Sequence, residues 1–481
     1  MKKKFFLNLL FLVALNLIVK PFWVLGIDRV VQNQVGSADY GMYFSLFNLS
    51  LLFNIILDLG LTNFNNRNIA QHKQLLPKYF SNIVVLKFLL AFFYAIITLA
   101  VGFISGYDII QFKILLILIF NQFLLSFILY LRSNISGLHH FKIDSLISVL
   151  DRVLMIILIA ILLWTNIVKG DFQIIWFVYA QTIAYFITAL IAFFVVLSYS
   201  KSIKIKINKA FLVSTLKQTF PYALLVFFMS FYNRFDAFII ERLLVDGKTQ
   251  AGIYAQSFRL LDAVSQFSLL FAALLLPIFS RMLKTKQKID DLVQFSFFLL
   301  LTPSVIFVVS SVFYSTEIID LLYTEHAEIS SSIFSILIIA FIPISLTYIF
   351  GTLLTANGNL KKLNIIAFLG VVINLTLNLI LIPQFKAYGA AITAIITQVL
   401  TAVLQMWLAF YIFKIKISTK KIISIMLFLA IFIPGVYLTH KSINNWIIGF
   451  STSLLIGLVF GFLFNLINLK TLVRLFKGYE D

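Results

Sequence analysis

The chain has 481 residues, of which 61% are apolar and only 12% charged. A soluble domain carries about twice that charged fraction, so there are too few polar groups to cover a water-facing surface, and a soluble enzyme is excluded. Fifty-three phenylalanines and the lack of a short repeat exclude disordered and fibrous chains. What remains is an all-α, polytopic membrane protein. Cysteine is absent, which removes disulfides, thiolate metal sites and cysteine nucleophiles. His72, His139, His140, His326 and His440 show no ligand spacing, so no metal centre is expected. A net charge of +19 would suggest nucleic acid for a soluble protein. Here topology explains it, and no nucleic-acid partner is expected.

A helix needs ~20 mostly apolar residues to cross ~30 Å of hydrocarbon. Such windows centre near Leu15, Leu51, Leu90, Leu118, Met155, Ile183, Val226, Phe267, Leu301, Ile339, Val372, Ile395, Leu429 and Leu455, which predicts fourteen spans. The first follows Met1-Lys2-Lys3-Lys4, a charged start like that of a signal peptide. Its apolar run is too long for one, contains Lys20 and lacks a small-x-small cleavage pattern, so it reads as a retained helix. Placing the N-terminus inside puts 26 Lys and Arg in inner segments and 7 in outer ones. Both termini are therefore expected on the cytoplasmic side, and the excess charge is mainly this orientation signal. The connections are short and leave no room for a folded catalytic domain, so no enzymatic activity is expected.

A weak internal repeat runs through the chain. Tyr40-Gly41-Met42-Tyr43 opens the second span and Ala251-Gly252-Ile253-Tyr254 the eighth. Gly137-Leu138-His139-His140-Phe141-Lys142 precedes the fifth, and Ala356-Asn357-Gly358-Asn359-Leu360-Lys361 the eleventh. Both pairs lie six helices apart. An even number gives the two units one orientation, related by an axis along the membrane normal. The expected organisation is a six-helix bundle over 1–210, a second over 211–415, and two further helices with a cytoplasmic tail over 416–481.

Lys20, Asp58, Lys87, Asp151, Arg152, Arg234, Asp236, Arg259 and Asp262 fall inside spans. Each costs ~2.5–3.5 kcal/mol at a helix centre on insertion scales, so they must pair, reach the interface or line a wet cavity. Lys20 precedes Pro21 deep in the first span and reads as a cavity residue. Asp28 and Arg29 end that span, at the interface or a cavity mouth. Asp58 is followed past Gly60 by Arg67; a structural pair at the inner surface and an ion-coupling role fit it equally. Lys87 is a short climb from the inner face, and its stem can carry the ammonium to water. Asp151 and Arg152 are adjacent and point in different directions, so each needs its own partner. Arg234 and Asp236, two apart, sit on nearly opposite faces and cannot satisfy each other. With Tyr232 and Asn233 they form the most polar patch in any span. Arg259 and Asp262, three apart, can pair with one another.

Buried arginine and lysine suit an anion, and guanidinium geometry matches phosphate. The amides and phenols within spans, among them Asn121, Gln122, Tyr179 and Gln181, bond sugar hydroxyls as readily as they join helices. Together these features fit a phosphate-linked glycan, with helix packing as the alternative reading.

The segment Val35-Gly36-Ser37-Ala38-Asp39-Tyr40-Gly41-Met42-Tyr43 resembles the joint between helices one and two of polysaccharide flippases. Leu57-Asp58-Leu59-Gly60-Leu61 with Arg67 resembles the end of their second helix. Pro221, Tyr232-Asn233-Arg234-Phe235-Asp236 and Ala251-Gly252-Ile253-Tyr254-Ala255 resemble their seventh and eighth helices, and Gly389-Ala390-Ala391 the start of their twelfth. The family is that of the Wzx-type O-antigen and exopolysaccharide flippases, in the multidrug/oligosaccharidyl-lipid/polysaccharide (MOP) exporter superfamily. The resemblance implies two six-helix bundles arranged as a V plus two helices, in the bacterial cytoplasmic membrane. It implies translocation of an undecaprenyl-diphosphate-linked oligosaccharide, with membrane lipids and other polysaccharide-assembly proteins as partners. A cationic lumen maps onto Lys20, Arg234 and Arg259. No cofactor is expected beyond a coupling proton or sodium ion, for which Asp58, Asp236 and Asp262 are the candidates, and Asp28, Arg29 and Arg67 would stand at the cavity mouth. A drug exporter, a peptidoglycan-precursor flippase and a membrane glycan polymerase are the rivals. The first should have an acidic lumen, and the last a large outer loop with acidic motifs.

Overall fold

The computed structural model describes residues 15–16, 18–19, 21–72, 74, 76–165, 170–200, 209–415 and 418–466. Every regular element among them is helical. Among the described residues, eleven helices are long and apolar enough to cross a membrane, or twelve if Trp23–Leu52 and Asn54–Ala70, bent by 45° at a short break, form one span. The protein is a multi-pass membrane protein.

The chain divides into two compact units, Met1–Gly252 and Ile253–Asp481. In the first, a π-helical turn, Trp23–Asp28, leads into α1 (Arg29–Leu52). Gly36 interrupts α1 with φ 80° and ψ 166°, a region open essentially to glycine alone. The joint expected at Val35-Gly36-Ser37 is this break. There follow α2 (Leu61–Gln71), α3 (Leu76–Ile104), α4 (Ile109–Gly137), α5 (Phe141–Trp164), α6 (Ile174–Ser200) and α7 (Lys209–Leu243). Helix α4 is central and packs on α6, α2, α1 and α3, while α7 lies along α1. The division by contacts at residue 252 thus groups α7 with the first six helices' worth of chain, whereas the repeat motifs mark a boundary near 210.

Helix α8 (Gly247–Lys284) carries the chain into the second unit, which continues through α9 (Asp290–Phe313), α10 (Ser315–Leu322), α11 (Ala327–Leu337), α12 (Phe341–Ala356), α13 (Leu360–Phe413), α14 (Thr419–Ser442) and α15 (Trp446–Leu463). At ~1.5 Å per residue, the 54 residues of α13 would run about 80 Å, more than twice the hydrocarbon core. Lys386, at φ 53° and ψ −136°, breaks it. A Cβ placed on Gly389 would meet the carbonyl of Leu381, so the chain folds back there. This matches the separate apolar windows near Val372 and Ile395. Helices α14 and α15 pack on α9 through a core of Phe298, Val305, Ile306, Phe428, Phe432 and Val436. Gly457 admits the side chains of Ile306 and Phe432 against its backbone.

Candidate functional site

Two acidic side chains, the partly exposed Asp58 and the buried Glu241, organise the first unit, one on each side of it by the orientation read from the charges. On the inner side, helical geometry fails after Leu52. Asn54–Leu57 is a 3-10 turn, and Leu59 and Gly60 adopt φ 44° and 83° before α2 begins. The Leu61 N–H therefore donates to the carbonyl of Asp58 at 2.8 Å, leaving that of Leu57 outside the helical ladder. Lys87 on α3 fills this gap. Its Nζ donates to Leu57 O at 3.0 Å, to Asp58 Oδ1 at 2.6 Å and to Ser126 Oγ on α4 at 2.9 Å. Asp58 also accepts from the backbone N–H of Thr62 at 3.3 Å and from its hydroxyl, capping α2. Deeper in the span, Asn54 Nδ2 donates to Gln122 Oε1 at 2.7 Å, and Gln122 Nε2 donates to Ser50 Oγ at 3.3 Å.

Lys87 is thus not a lysine reaching for the interface: it is only 1% exposed. The sequence could not foresee this, because its partners lie 29 and 39 positions away. Taking the ammonium fully out of water costs several kcal/mol, while Asp58 keeps about a quarter of its side chain exposed. The pair persists because three acceptors saturate the three ammonium donors.

On the outer side the organising group is Glu241, near the end of α7, whose side chain has no exposed surface. It accepts from Gln111 Nε2 at 2.6 Å, Ser45 Oγ at 3.2 Å and Arg242 Nε at 2.8 Å. Arg242 also donates to the carbonyl of Ser105 at 2.9 Å and lies 4.5 Å from the ring centre of Tyr107. Burial, and then the charge of Glu241, raise the Tyr107 hydroxyl well above the ordinary phenol range. Asp108 caps α4 in a reciprocal box with Gln111, whose backbone N–H is the main cause holding the Asp108 carboxyl below its ordinary value. Lys248 pairs with Asp108 at 3.5 Å. Beside this cluster α1 crosses the start of α8 with no clearance. A Cβ on Gly41 would strike Lys248 O and Gly252 N, and one on Gly252 would strike Ser37 O. Gln32 Nε2 closes the crossing with a 2.9 Å bond to Gly252 O. The two glycines that mark the repeat in the sequence therefore touch each other.

The remaining sequence-derived candidates are distributed as follows. Lys20 lies outside the described residues. Asp28 is buried and accepts from Tyr40 OH at 2.6 Å; Arg29, partly buried, opens α1. Arg67 sits on α2, with its side chain outside the described set. On α7, Tyr232 and Asp236 are buried and Arg234 is partly buried. On α8, Arg259 is buried and Asp262 partly so, both in the second unit. Asp151 and Arg152 do meet, at 3.8 Å, which corrects the expectation that each needs a separate partner. The guanidinium also lies 5.5 Å from the Trp23 ring centre and 6.0 Å from that of Tyr185.

Among solved structures, the lipid II flippase MurJ in an inward closed conformation superposes with a TM-score of 0.69 at 17% identity, covering 97% of this chain and 100% of MurJ. An inward-facing multidrug resistance MATE family transporter of the MOP superfamily gives 0.62 at 16% identity, covering 84% and 94% of the two chains. A Vibrio cholerae MATE transporter, VcmN in its bent form, gives 0.54 at 15% identity over 84% and 94%. The fold is accordingly the one that these flippase and transporter structures share. The family model described as "Polysaccharide biosynthesis protein" matches residues 8–283, more than half of the chain, and the protein belongs to that family. No curated protein matches it by sequence.

Proposed function

We propose that this protein is a flippase that moves a polyprenyl-diphosphate-linked oligosaccharide from the cytoplasmic to the outer leaflet of a bacterial cytoplasmic membrane, for O-antigen or exopolysaccharide assembly. The observation that carries this reading is the match to the polysaccharide biosynthesis family on a MOP transport fold. In it, fourteen spans form two six-helix bundles, 1–210 and 211–415, with 416–481 appended and both termini cytoplasmic. Lys20, Arg234 and Arg259 face the diphosphate, and Asp28, Arg29 and Arg67 stand at the mouth. Moving about two negative charges through a low-dielectric interior is prohibitive without such countercharge. The sugars bond to amides and hydroxyls while the polyprenyl tail stays in lipid, and access alternates between the two sides. Coupling to protons or sodium falls to Asp236 and Asp262 ahead of Asp58, whose charge Lys87 already balances. Partners would include other polysaccharide-assembly proteins.

Deleting the gene should trap lipid-linked glycan on the inner leaflet, and the wild-type chain should restore export. Arg234→Ala at normal abundance should restore at least about tenfold less. Undiminished glycan export in the deletion strain would overturn the proposal. The likeness to MurJ over nearly the whole chain favours a second reading, a peptidoglycan-precursor flippase. Rescue of a strain depleted of its lipid II flippase would select it.

A further inference from the structure

Lys87 plays no part in the proposed translocation, yet its surroundings are those of a bound ion. Three oxygens of three chemical kinds converge on one buried point: the Leu57 carbonyl, the Asp58 carboxylate and the Ser126 hydroxyl, at 3.0, 2.6 and 2.9 Å from Nζ. The carbonyl is available because the helix is interrupted there, with Leu61 N–H turned to Asp58 O. Unwound carbonyls at broken membrane helices are a recurrent way of coordinating monovalent cations. One carboxylate neutralises one positive charge. Two of the three distances exceed the ~2.0–2.6 Å of magnesium and calcium ligation, and the third stands at its upper end, so the space fits a large monovalent ion better than a divalent one.

We propose that the space around Lys87 Nζ is a monovalent-cation site that the chain occupies with its own ammonium group. The cation is tethered, so the wild-type protein needs no soluble ion at this helix break. Removing the lysine side chain vacates a coordination shell that potassium or a small primary ammonium ion enters. The inference rests on the first unit alone and holds whatever substrate the protein carries.

The test compares purified wild-type protein, Lys87→Ala, and the double variant Lys87→Ala/Asp58→Asn. Thermal unfolding is followed in potassium chloride or methylammonium chloride, against N-methyl-D-glucamine chloride at equal ionic strength. Lys87→Ala should gain at least about 3 °C from potassium or methylammonium, in a saturable way, beyond any gain of the wild type or the double variant. Equal gains in all three proteins overturn the proposal. So does failure of Lys87→Ala to accumulate in potassium-rich cells while the double variant accumulates, because the ion then does not replace the lysine. If neither variant accumulates, the lysine stem is needed for packing rather than for charge, and the proposal falls as well.

Discussion

Asp58 and Glu241, the acids that organise the first unit, are built from similar parts to opposite ends. Asp58 is held by a lysine from α3, which in turn bonds a hydroxyl of α4, and by Thr62 of α2, all within the first 126 residues. Those contacts preserve an interruption inside one span. Glu241 is held by its neighbour Arg242 but also by Ser45 and Gln111, nearly two hundred and more than one hundred residues earlier. That cluster ties α7 and the start of α8, both in the second repeat, to α1 and α4 of the first. The inner pair therefore sets the shape of a helix, while the outer cluster sets whether two stretches of chain stay together. Removing the first should damage the fold. Loosening the second should leave the fold standing and change access from the outer side.

The largest expected effect sharpens this contrast. Lys87→Met leaves Asp58, only a quarter exposed, charged without its counterion, which should cost about 3 kcal/mol and appear as a sharp loss of membrane-inserted protein. Adding Asp58→Asn should recover most of it. A single variant as abundant and thermostable as the wild type would remove the inner pair from any structural role. Next comes the glycine crossing. Gly41→Leu puts a side chain into the backbone of residues 248 and 252 and should cost about 1–3 kcal/mol by overpacking, with loss of transport exceeding loss of protein. Transport at the wild-type rate would show that the crossing need not form.

Glu241→Gln is a milder change, of about 1–3 kcal/mol. Because the chain has no cysteine, a single Ser45→Cys reporter reads it cleanly. A membrane-impermeant thiol reagent added outside should modify Ser45→Cys several-fold faster when Glu241→Gln is present. Equal rates would break the comparison. The smallest effect belongs to the rim. Asp108→Ala removes a helix cap and should lower stability by about 1 kcal/mol or less. The Asp108 carboxyl is depressed in the folded protein. Its contribution is therefore full above the ordinary carboxylate range and disappears only as pH falls through the lowered folded value. The difference between wild type and Asp108→Ala should stay constant from neutral pH to about pH 5 and close in stronger acid. A difference that grows on acidification would refute the cap.

Much of the fold is legible in the chain, because the bilayer writes it in composition. Apolar windows mark the helices, and the two windows near Val372 and Ile395 foretell that α13 folds back on itself. The Gly36 joint is legible because its backbone conformation is closed to other residues. Pairing is less legible, for a physical reason. Helical spacing limits which neighbours on one helix can meet, but Lys87 finds Asp58 only through packing of α3 on the interrupted span. That interruption depends on Leu59 taking a left-handed conformation that its side chain does not advertise. Gly41 and Gly252 are recognisable as equivalent positions of a repeat, yet nothing in the letters says that they touch. Glu241 escaped notice because a lone acid beside an arginine at a helix end reads as solvated. Its burial comes from Ser45 and Gln111.

The most direct measurement of the central claim is reconstitution. Purified protein in sealed liposomes carrying a polyprenyl-diphosphate-linked oligosaccharide should make the inner-leaflet glycan accessible to an external, membrane-impermeant glycosidase, and Arg234→Ala should suppress this. Glycan that stays protected with folded wild-type protein, across imposed proton and sodium gradients of either direction, would contradict the account.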